Sequence, residues 1–144
     1  MTRASGFTIL EAALVMAVIV VMAAIAVPIA LNAQVEARET KLRGTLRELR
    51  TAVHAFEADC GGYPCQLADL MSYTPPNHSH SPLDGSRIPL DPADFRGPYL
   101  IPSDGEMPQD PILCDRRWCY SRATGKVSSL APGTATDGTR YSEW

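Results

Sequence analysis

The 144-residue sequence predicts an α+β protein in which a long N-terminal helix precedes a small head with antiparallel strands. Between Glu11 and Glu36 lie 24 residues without a charge, and apolar residues recur at helical spacing beyond them. The 85 residues from Cys60 onward hold 11 of the 12 prolines, 8 of the 10 glycines and all four cysteines. That composition is typical of a compact, loop-rich head, and it excludes a coiled-coil fibre and a multi-pass membrane protein.

The stretch of residues 12–31 is long enough to be a membrane helix. Its 20 uncharged residues would span about 30 Å as a helix, which is the thickness of the bilayer core. The apolar region of an ordinary signal peptide has only about 7–15 residues. Arg3 ahead of the span favours a cytoplasmic N-terminus, which puts the head on the other side of the membrane.

Glu11 is an acidic residue at the start of this apolar segment, and two interpretations of it stay open. Thr8-Ile9-Leu10-Glu11 has the T-x-x-E spacing of a capping box, and a carboxylate suits the first turn of a helix. A charge inside an apolar span is also costly, so it can mark a functional position.

The residues Gly6-Phe7-Thr8-Ile9-Leu10-Glu11, followed by about 20 apolar residues, resemble the prepilin motif of type IV pilins and type II secretion pseudopilins. The resemblance implies that a prepilin peptidase cleaves between Gly6 and Phe7 and that the new Phe7 terminus is N-methylated. It also implies that Glu11 neutralises the Phe7 amine of a neighbouring subunit in a filament. Pro28 lies where this family commonly has a helix-kinking proline, and we expect it to mark a deformable point of the helix.

Beyond Pro28 the pattern becomes amphipathic, which predicts that the helix continues to Asp59 and packs under the head. Charged residues occupy the opposite face, where Glu39 and Arg43 have the spacing of a favourable pair. The predicted apolar face consists of Leu31, Val35, Leu42, Leu46, Leu49, Val53 and Phe56.

In the head, residues 66–73 predict a short helix, and residues 117–121 and 126–130 predict a hairpin with its turn at 122–125. The prolines from Pro75 to Pro111 predict that this stretch is mostly loop, without central strands through most of it. The order of these pieces, with Gly62-Tyr63-Pro64, Gly97-Pro98-Tyr99-Leu100 and Pro108-Gln109-Asp110-Pro111, resembles the head of the major pseudopilins. That resemblance implies a calcium loop after the hairpin. Because residues 130–144 offer only Asp137 and Glu143 as acidic ligands, we expect no calcium and no other cofactor.

The four cysteines form two C-x-x-x-x-C pairs, Cys60/Cys65 and Cys114/Cys119. An oxidising compartment favours disulfides, either within each pair or crossed between the pairs. A zinc site made of all four thiolates is the competing interpretation.

His78-Ser79-His80 has the composition of a metal site but shows no third ligand in the sequence, so we predict an exposed loop there. His54 is predicted to be a partly covered helix residue. No catalytic motif is visible, and we expect no enzyme.

Net charge is −3, and the head has 7 basic against 10 acidic residues, so we expect no nucleic-acid partner. Arg116, Arg117 and Arg122 are interpreted as a solvated strand surface.

The sequence therefore predicts a leader (1–6), a transmembrane and assembly helix (7–31), an amphipathic helix (32–59) and a periplasmic head (60–144), held in the bacterial inner membrane. The expected function is that of the major pseudopilin of a type II secretion system, which polymerises with itself into a fibre that drives protein export. The expected partners are the prepilin peptidase, the inner-membrane assembly platform and the minor pseudopilins. A type IV pilin for adhesion, twitching or DNA uptake is the first alternative. A signal-anchored periplasmic binding module that never polymerises is the second.

Overall fold

The computed structural model describes residues 8–144 and confirms the α+β class. Helix α1 (Ile9–Cys60) is followed by two short 3-10 helices, Leu67–Met71 and Tyr141–Glu143, and by four strands. The strands are β1 (His78–His80), β2 (Arg87–Pro89), β3 (Trp118–Tyr120) and β4 (Val127–Ser129), and they form two separate antiparallel hairpins, β1–β2 and β3–β4. The chain divides into two compact units at the bond between Ala37 and Arg38, and each unit is described by itself below.

Helix α1 has the start and the end that its flanking residues encode. At the start, the N–H of Glu11 donates to Thr8 Oγ1 over 3.2 Å, which satisfies one unpaired donor of the first turn. At the end, Gly61 adopts φ +69° and its N–H donates to the carbonyl of Glu57 over 2.8 Å. This left-handed conformation suits glycine, which terminates helices for that reason. The helix continues through Pro28, where the sequence predicted a deformable point.

The hydrophobic core of the second unit is built on one face of α1. Leu42, Leu46, Leu49, Val53 and Phe56 are all at most 1% exposed, as their helical spacing predicts. They pack with apolar residues of the loops and of the last hairpin, namely Leu67, Leu70, Leu90, Leu100, Val127, Ala131, Ala135 and Tyr141. Phe56 also makes edge-to-face contacts with Phe95 and Tyr99, at centroid distances of 6.2 and 5.4 Å.

The predicted apolar face was extended too far towards the N-terminus. Leu31 and Val35 are exposed, although they fit the helical spacing. Both belong to the first unit, whereas the buried positions of α1 begin at Glu39 and Leu42 in the second. Spacing alone identifies one face of a helix but does not show how much of that face is covered.

Residues 75–111 are mostly loop, as predicted, but they also contain the strands β1 and β2, which the sequence did not reveal. In this hairpin Ser79 pairs with Ile88, and Pro89 occupies the last position of β2. On its other edge β1 pairs with Tyr63, because the Tyr63 N–H donates to the His80 carbonyl over 2.7 Å and the His80 N–H donates to the Tyr63 carbonyl over 2.8 Å. Proline tolerates such short and terminal strand positions, so its frequency alone did not exclude them.

The other predicted elements of the head are present. Strands β3 and β4 lie within the predicted hairpin, with Cys119 opposite Ser128. The predicted short helix is a 3-10 helix that buries Leu67 and Leu70. Arg116 lies 3.0 Å from both Asp104 and Glu106, and Arg117 lies 2.8 Å from Asp115, so acidic neighbours offset two of the three arginines noted in the sequence.

Truncating a side chain at the centre of this core should lower the stability of the head. We expect Phe56→Ala to lower the free energy of unfolding by about 3–5 kcal/mol, because it removes a fully buried ring and leaves a cavity. The control is Leu83→Ala, since Leu83 is 96% exposed and its loss should change stability by less than about 0.5 kcal/mol. Urea titration of the full chain in detergent, followed by tryptophan fluorescence, measures both. Equal effects of the two substitutions would contradict the packing described here.

Candidate functional site

The segment of α1 from Ile9 to Val35 presents apolar side chains to its surroundings on every side. By length and composition it is the one stretch of the described residues able to cross a membrane. A helix that is apolar all round needs an apolar environment, which lipid or other protein chains can supply. Its large exposed apolar residues are Ile9, Leu10, Leu14, Val15, Met16, Val18, Ile19, Val20, Val21, Met22, Ile25, Val27, Ile29, Leu31 and Val35.

Glu11 lies in the first turn of this segment and is exposed. Its backbone N–H, not its carboxylate, makes the bond to Thr8 Oγ1, so one half of the predicted capping box is confirmed. Within residues 8–144 the carboxylate has neither an ion-pair nor a hydrogen-bond partner. Capping by Thr8 therefore leaves the Glu11 carboxylate available for another role. Gly6 and Phe7, the predicted cleavage position, lie outside the described residues.

Glu39 is a buried carboxylate that joins α1 to the C-terminal loop. It is 2% exposed, and it accepts hydrogen bonds from the Thr136 N–H (2.9 Å), the Thr136 hydroxyl (2.6 Å) and the Tyr141 hydroxyl (3.0 Å). Burial raises the pKa of Glu39, but the hydrogen bonds from Thr136 and Tyr141 outweigh burial and hold the pKa below its usual value. The prediction that Glu39 lies on the solvent face was wrong, because its side chain is buried against the C-terminal loop. The charge of Arg43 still helps to lower the Glu39 pKa, while the direct ion pair of Arg43 is with Asp137.

Arg43 makes the second contact with this loop. Its guanidinium lies 2.6 Å from Asp137 Oδ2 and 4.1 Å from the centre of the Trp144 ring. The indole N–H of Trp144 in turn donates to the Thr139 hydroxyl over 2.5 Å. These contacts fix the C-terminal loop on α1 by charge and hydrogen bonding.

The C-terminal loop does not fit the calcium ion that the pseudopilin resemblance implies. Both carboxylate oxygens of Asp137 are engaged: Oδ2 by Arg43, and Oδ1 by the N–H and hydroxyl of Thr139. Calcium requires six to eight oxygen ligands, and a guanidinium beside the carboxylate already supplies the opposing positive charge. Protein groups thus take the structural part that a calcium ion would have.

All four cysteines are thiols in this structure, and they do not converge on one site. Cys60 Sγ lies 3.8 Å from the Tyr99 hydroxyl, and Cys65 Sγ lies 3.2 Å from the His78 carbonyl. Cys114 and Cys119 are exposed. The predicted disulfides stay a prediction, whereas the competing site of four zinc-bound thiolates does not form among the described residues.

The predicted exposed loop at His78-Ser79-His80 was wrong. These residues are strand β1, in which Ser79 and His80 are buried and His78 is half-buried. The structure also supplies the third potential ligand that the sequence did not reveal, since Cys65 comes together with both histidines. The prediction of a partly covered His54 was wrong, because His54 is exposed; it lies 3.1 Å from Glu57.

Comparisons with known proteins leave the identity of the chain open. No family model, no curated protein and no solved structure matches it.

Replacing Glu39 should weaken the head in a way that depends on pH. The folded state lowers the pKa of Glu39 below the ordinary 4.5, so the stabilisation is fully present above about pH 4.5 and is lost as the pH falls through the folded-state pKa. We expect Glu39→Gln to cost about 1.5–3 kcal/mol at pH 7, the range for hydrogen bonds to charged groups.

The measurement is chemical unfolding of the wild type and of Glu39→Gln between pH 7 and pH 3. The stability difference between the two proteins should shrink below pH 4.5. Asp84, Asp104, Asp115 and Asp137 also have lowered pKa values, but they contribute equally to both proteins and cancel in the difference. Glu48→Gln, at an exposed position of the same helix, is the control and should change little. A difference that stays constant to pH 3 would contradict the role of the carboxylate.

Proposed function

We propose that the chain is a membrane-anchored subunit of a helical filament, and specifically the major pseudopilin of a type II secretion system. One observation carries this proposal: an apolar helix with exposed large side chains begins at Ile9, and the carboxylate of Glu11 in its first turn has no partner among residues 8–144. A membrane span alone would need no such carboxylate, whereas a subunit that must recognise the end of another subunit has a use for it.

The helix serves two successive environments under this proposal. Before assembly, lipid covers its apolar side chains and the head lies in the periplasm. After removal of residues 1–6, Phe7 has a new cationic amine, and Glu11 of one subunit pairs with the Phe7 amine of the next. The apolar segments of neighbouring subunits then replace lipid as the cover. Because lipid is as apolar as these side chains, this exchange brings no hydrophobic gain by itself.

The ion pair sets the register of neighbouring subunits. A charge left unpaired in an apolar environment costs about 3–5 kcal/mol, so subunits that slide past each other lose that energy. Attraction between apolar surfaces has no direction and fixes no register by itself. The pair of Glu11 with the Phe7 amine therefore gives neighbouring subunits a defined axial offset, which apolar contact alone does not.

The head contributes a firmly attached domain. Glu39 and Arg43 hold the C-terminal loop on the helix, so a force applied along α1 of the second unit reaches the head through hydrogen bonds and an ion pair. That attachment suits a fibre that pushes exported proteins, and it supports the secretion function over that of a binding module.

The mass of the protein purified from bacterial membranes tests processing. We expect loss of residues 1–6 and the gain of one methyl group, and Gly6→Val should block both because the peptidase needs a small residue before the cleaved bond. The matched control is Gly44→Val, which alters a glycine outside the motif. A mature protein that retains its first six residues would refute the proposal and favour the signal-anchored module.

A pair of substitutions at the first turn separates assembly from capping. We expect Glu11→Gln to reduce polymer by more than about a hundredfold, which corresponds to the lower limit of the 3–5 kcal/mol for an unpaired charge. Thr8→Val should retain polymer, because it removes the cap and keeps the acid. Glu36→Gln, at an exposed glutamate of the same helix, is the matched control.

Polymer is counted by electron microscopy of sheared fibres and by cross-linking in membranes, at matched protein levels. Normal polymer in Glu11→Gln, with loss in Thr8→Val, would show that the first turn acts only through capping. In a strain lacking the gene, loss of protein secretion supports the pseudopilin, while loss of twitching or DNA uptake with intact secretion supports the type IV pilin.

A further inference from the structure

Cys65, His78 and His80 form a cluster of metal-ligating side chains in the head. One potential ligand atom from each residue lies within 4.8 Å of those of the other two. The backbone brings them together: β1 pairs with Tyr63, so the segment that leads to Cys65 runs beside the strand that contains both histidines. Gly62 permits this close approach, since a Cβ atom there would lie 2.7 Å from Ser79 Oγ and 2.8 Å from the His80 carbonyl oxygen.

His78 and His80 are on the same side of β1, because successive side chains of a strand point to opposite faces. Ser79 between them faces the other way. The ring centres of the two histidines are 6.1 Å apart, and the Sγ of Cys65 reaches the backbone of His78 over 3.2 Å. Two imidazoles and one thiol therefore converge from two chain segments.

His80 is held by one ring nitrogen in the way that metal ligands commonly are. It is only 7% exposed, and its Nδ1 lies 3.0 Å from the carbonyl oxygen of Gly85. A carbonyl only accepts hydrogen bonds, so Nδ1 donates the proton of this bond, and the tautomer that this bond favours has its lone pair on Nε2. Nε2 is buried and has no hydrogen-bond partner among the described residues.

A buried ring nitrogen without a partner needs an explanation, since buried polar atoms are nearly always satisfied. Metal-binding histidines characteristically donate their second nitrogen to a carbonyl or carboxylate, which orients the ring and fixes the tautomer. The bond from His80 to Gly85 has this form. It points to a cation as the missing partner of Nε2.

The donor set selects the metal. A thiolate favours soft or borderline ions, and imidazole suits zinc, copper, iron and nickel, so zinc satisfies both. Zinc needs bonds of about 2.3 Å to sulfur and 2.0–2.1 Å to nitrogen in a tetrahedral arrangement, so the three atoms must close in by about 1 Å. Cys65 and His78 are only half-buried and can rotate inwards, whereas His80 is fixed.

The Cys65 side of the cluster is open to solvent. Cys65 lines an open surface cavity of about 340 Å³ together with Trp118, Tyr120 and Arg122, and neither histidine lines it. An ion can reach the thiol through this cavity.

We propose that Cys65, His78 and His80 bind one zinc ion in the head, with water as the fourth ligand. This site goes beyond filament assembly and does not depend on it. It also assigns a different chemistry to Cys65 from the predicted disulfide, since a sulfur bonded to Cys60 has no thiolate to offer the metal. The two thiols have different partners, since Cys60 contacts the Tyr99 hydroxyl and Cys65 contacts the His78 carbonyl.

The test uses the full chain in detergent, purified metal-free and reduced. Cobalt(II) is titrated first, because its bond to a thiolate gives a charge-transfer absorption that identifies cysteine ligation, and zinc is then added in competition. We expect one metal ion per chain, with displacement of cobalt by zinc. Cys65→Ser should abolish the charge-transfer band, and His78→Ala should weaken binding at least about tenfold; neither residue is fully buried, so both variants should fold.

The matched controls are Cys114→Ser and His54→Ala, which alter an exposed cysteine and an exposed histidine outside the cluster. Both should bind metal as the wild type does. A charge-transfer band that persists in Cys65→Ser, wild-type affinity in His78→Ala, or loss of binding in Cys114→Ser would overturn the assignment. So would the absence of stoichiometric binding, or isolation of the protein from cells with a disulfide between Cys60 and Cys65. Because processing and polymer are measured separately, failure of the zinc site leaves the filament proposal standing, and the reverse also holds.

Discussion

The apolar side chains of α1 between Ile9 and Val35 have to be kept away from water, and this requirement governs the other features of the molecule. At about 25 cal/mol per Å², even partial exposure of so many large side chains is expensive. The cover has to come from lipid or from other chains, because every large apolar residue of this stretch is exposed. The second unit, in contrast, buries its own core and needs no cover. The first unit therefore depends on an apolar environment, whereas the second unit folds around its own core.

The second unit attaches its C-terminal loop to the helix through polar contacts on one face of α1. Glu39, Arg43 and Arg50 are separated by four and seven residues, which places them along one stripe of the helix. Glu39 binds Thr136 and Tyr141, Arg43 binds Asp137, and Arg50 donates to the carbonyl of Val127. Charged side chains that an amphipathic pattern assigns to the solvent face thus stabilise the fold of the second unit.

The elements that depend on neighbouring residues could be predicted, while those that depend on distant ones could not. The helix, its cap at Thr8, its end at Gly61 and the β3–β4 hairpin all follow from patterns a few residues long. Glu39 was misinterpreted because its partners Thr136 and Tyr141 are 97 and 102 residues away. Hairpin β1–β2 was missed because three-residue strands bounded by prolines have no periodicity to detect. The meeting of Cys65 with His80 depends on a single bridge at Tyr63, for which the close approach of Gly62 was the only local sign.

The same long-range pairing gives Cys65 two competing reactions, disulfide formation and metal binding. The redox state of the compartment would decide between them. In an oxidising periplasm a thiol near another thiol tends towards a disulfide, whereas a thiolate bound to a metal is withdrawn from that reaction. Burial raises the pKa of the Cys65 thiol, with the nearby Asp69 adding to the effect and Arg87 and Arg122 opposing it. The pairing of β1 with Tyr63 does more than complete a small sheet, because it brings the Cys65 thiol beside two imidazoles.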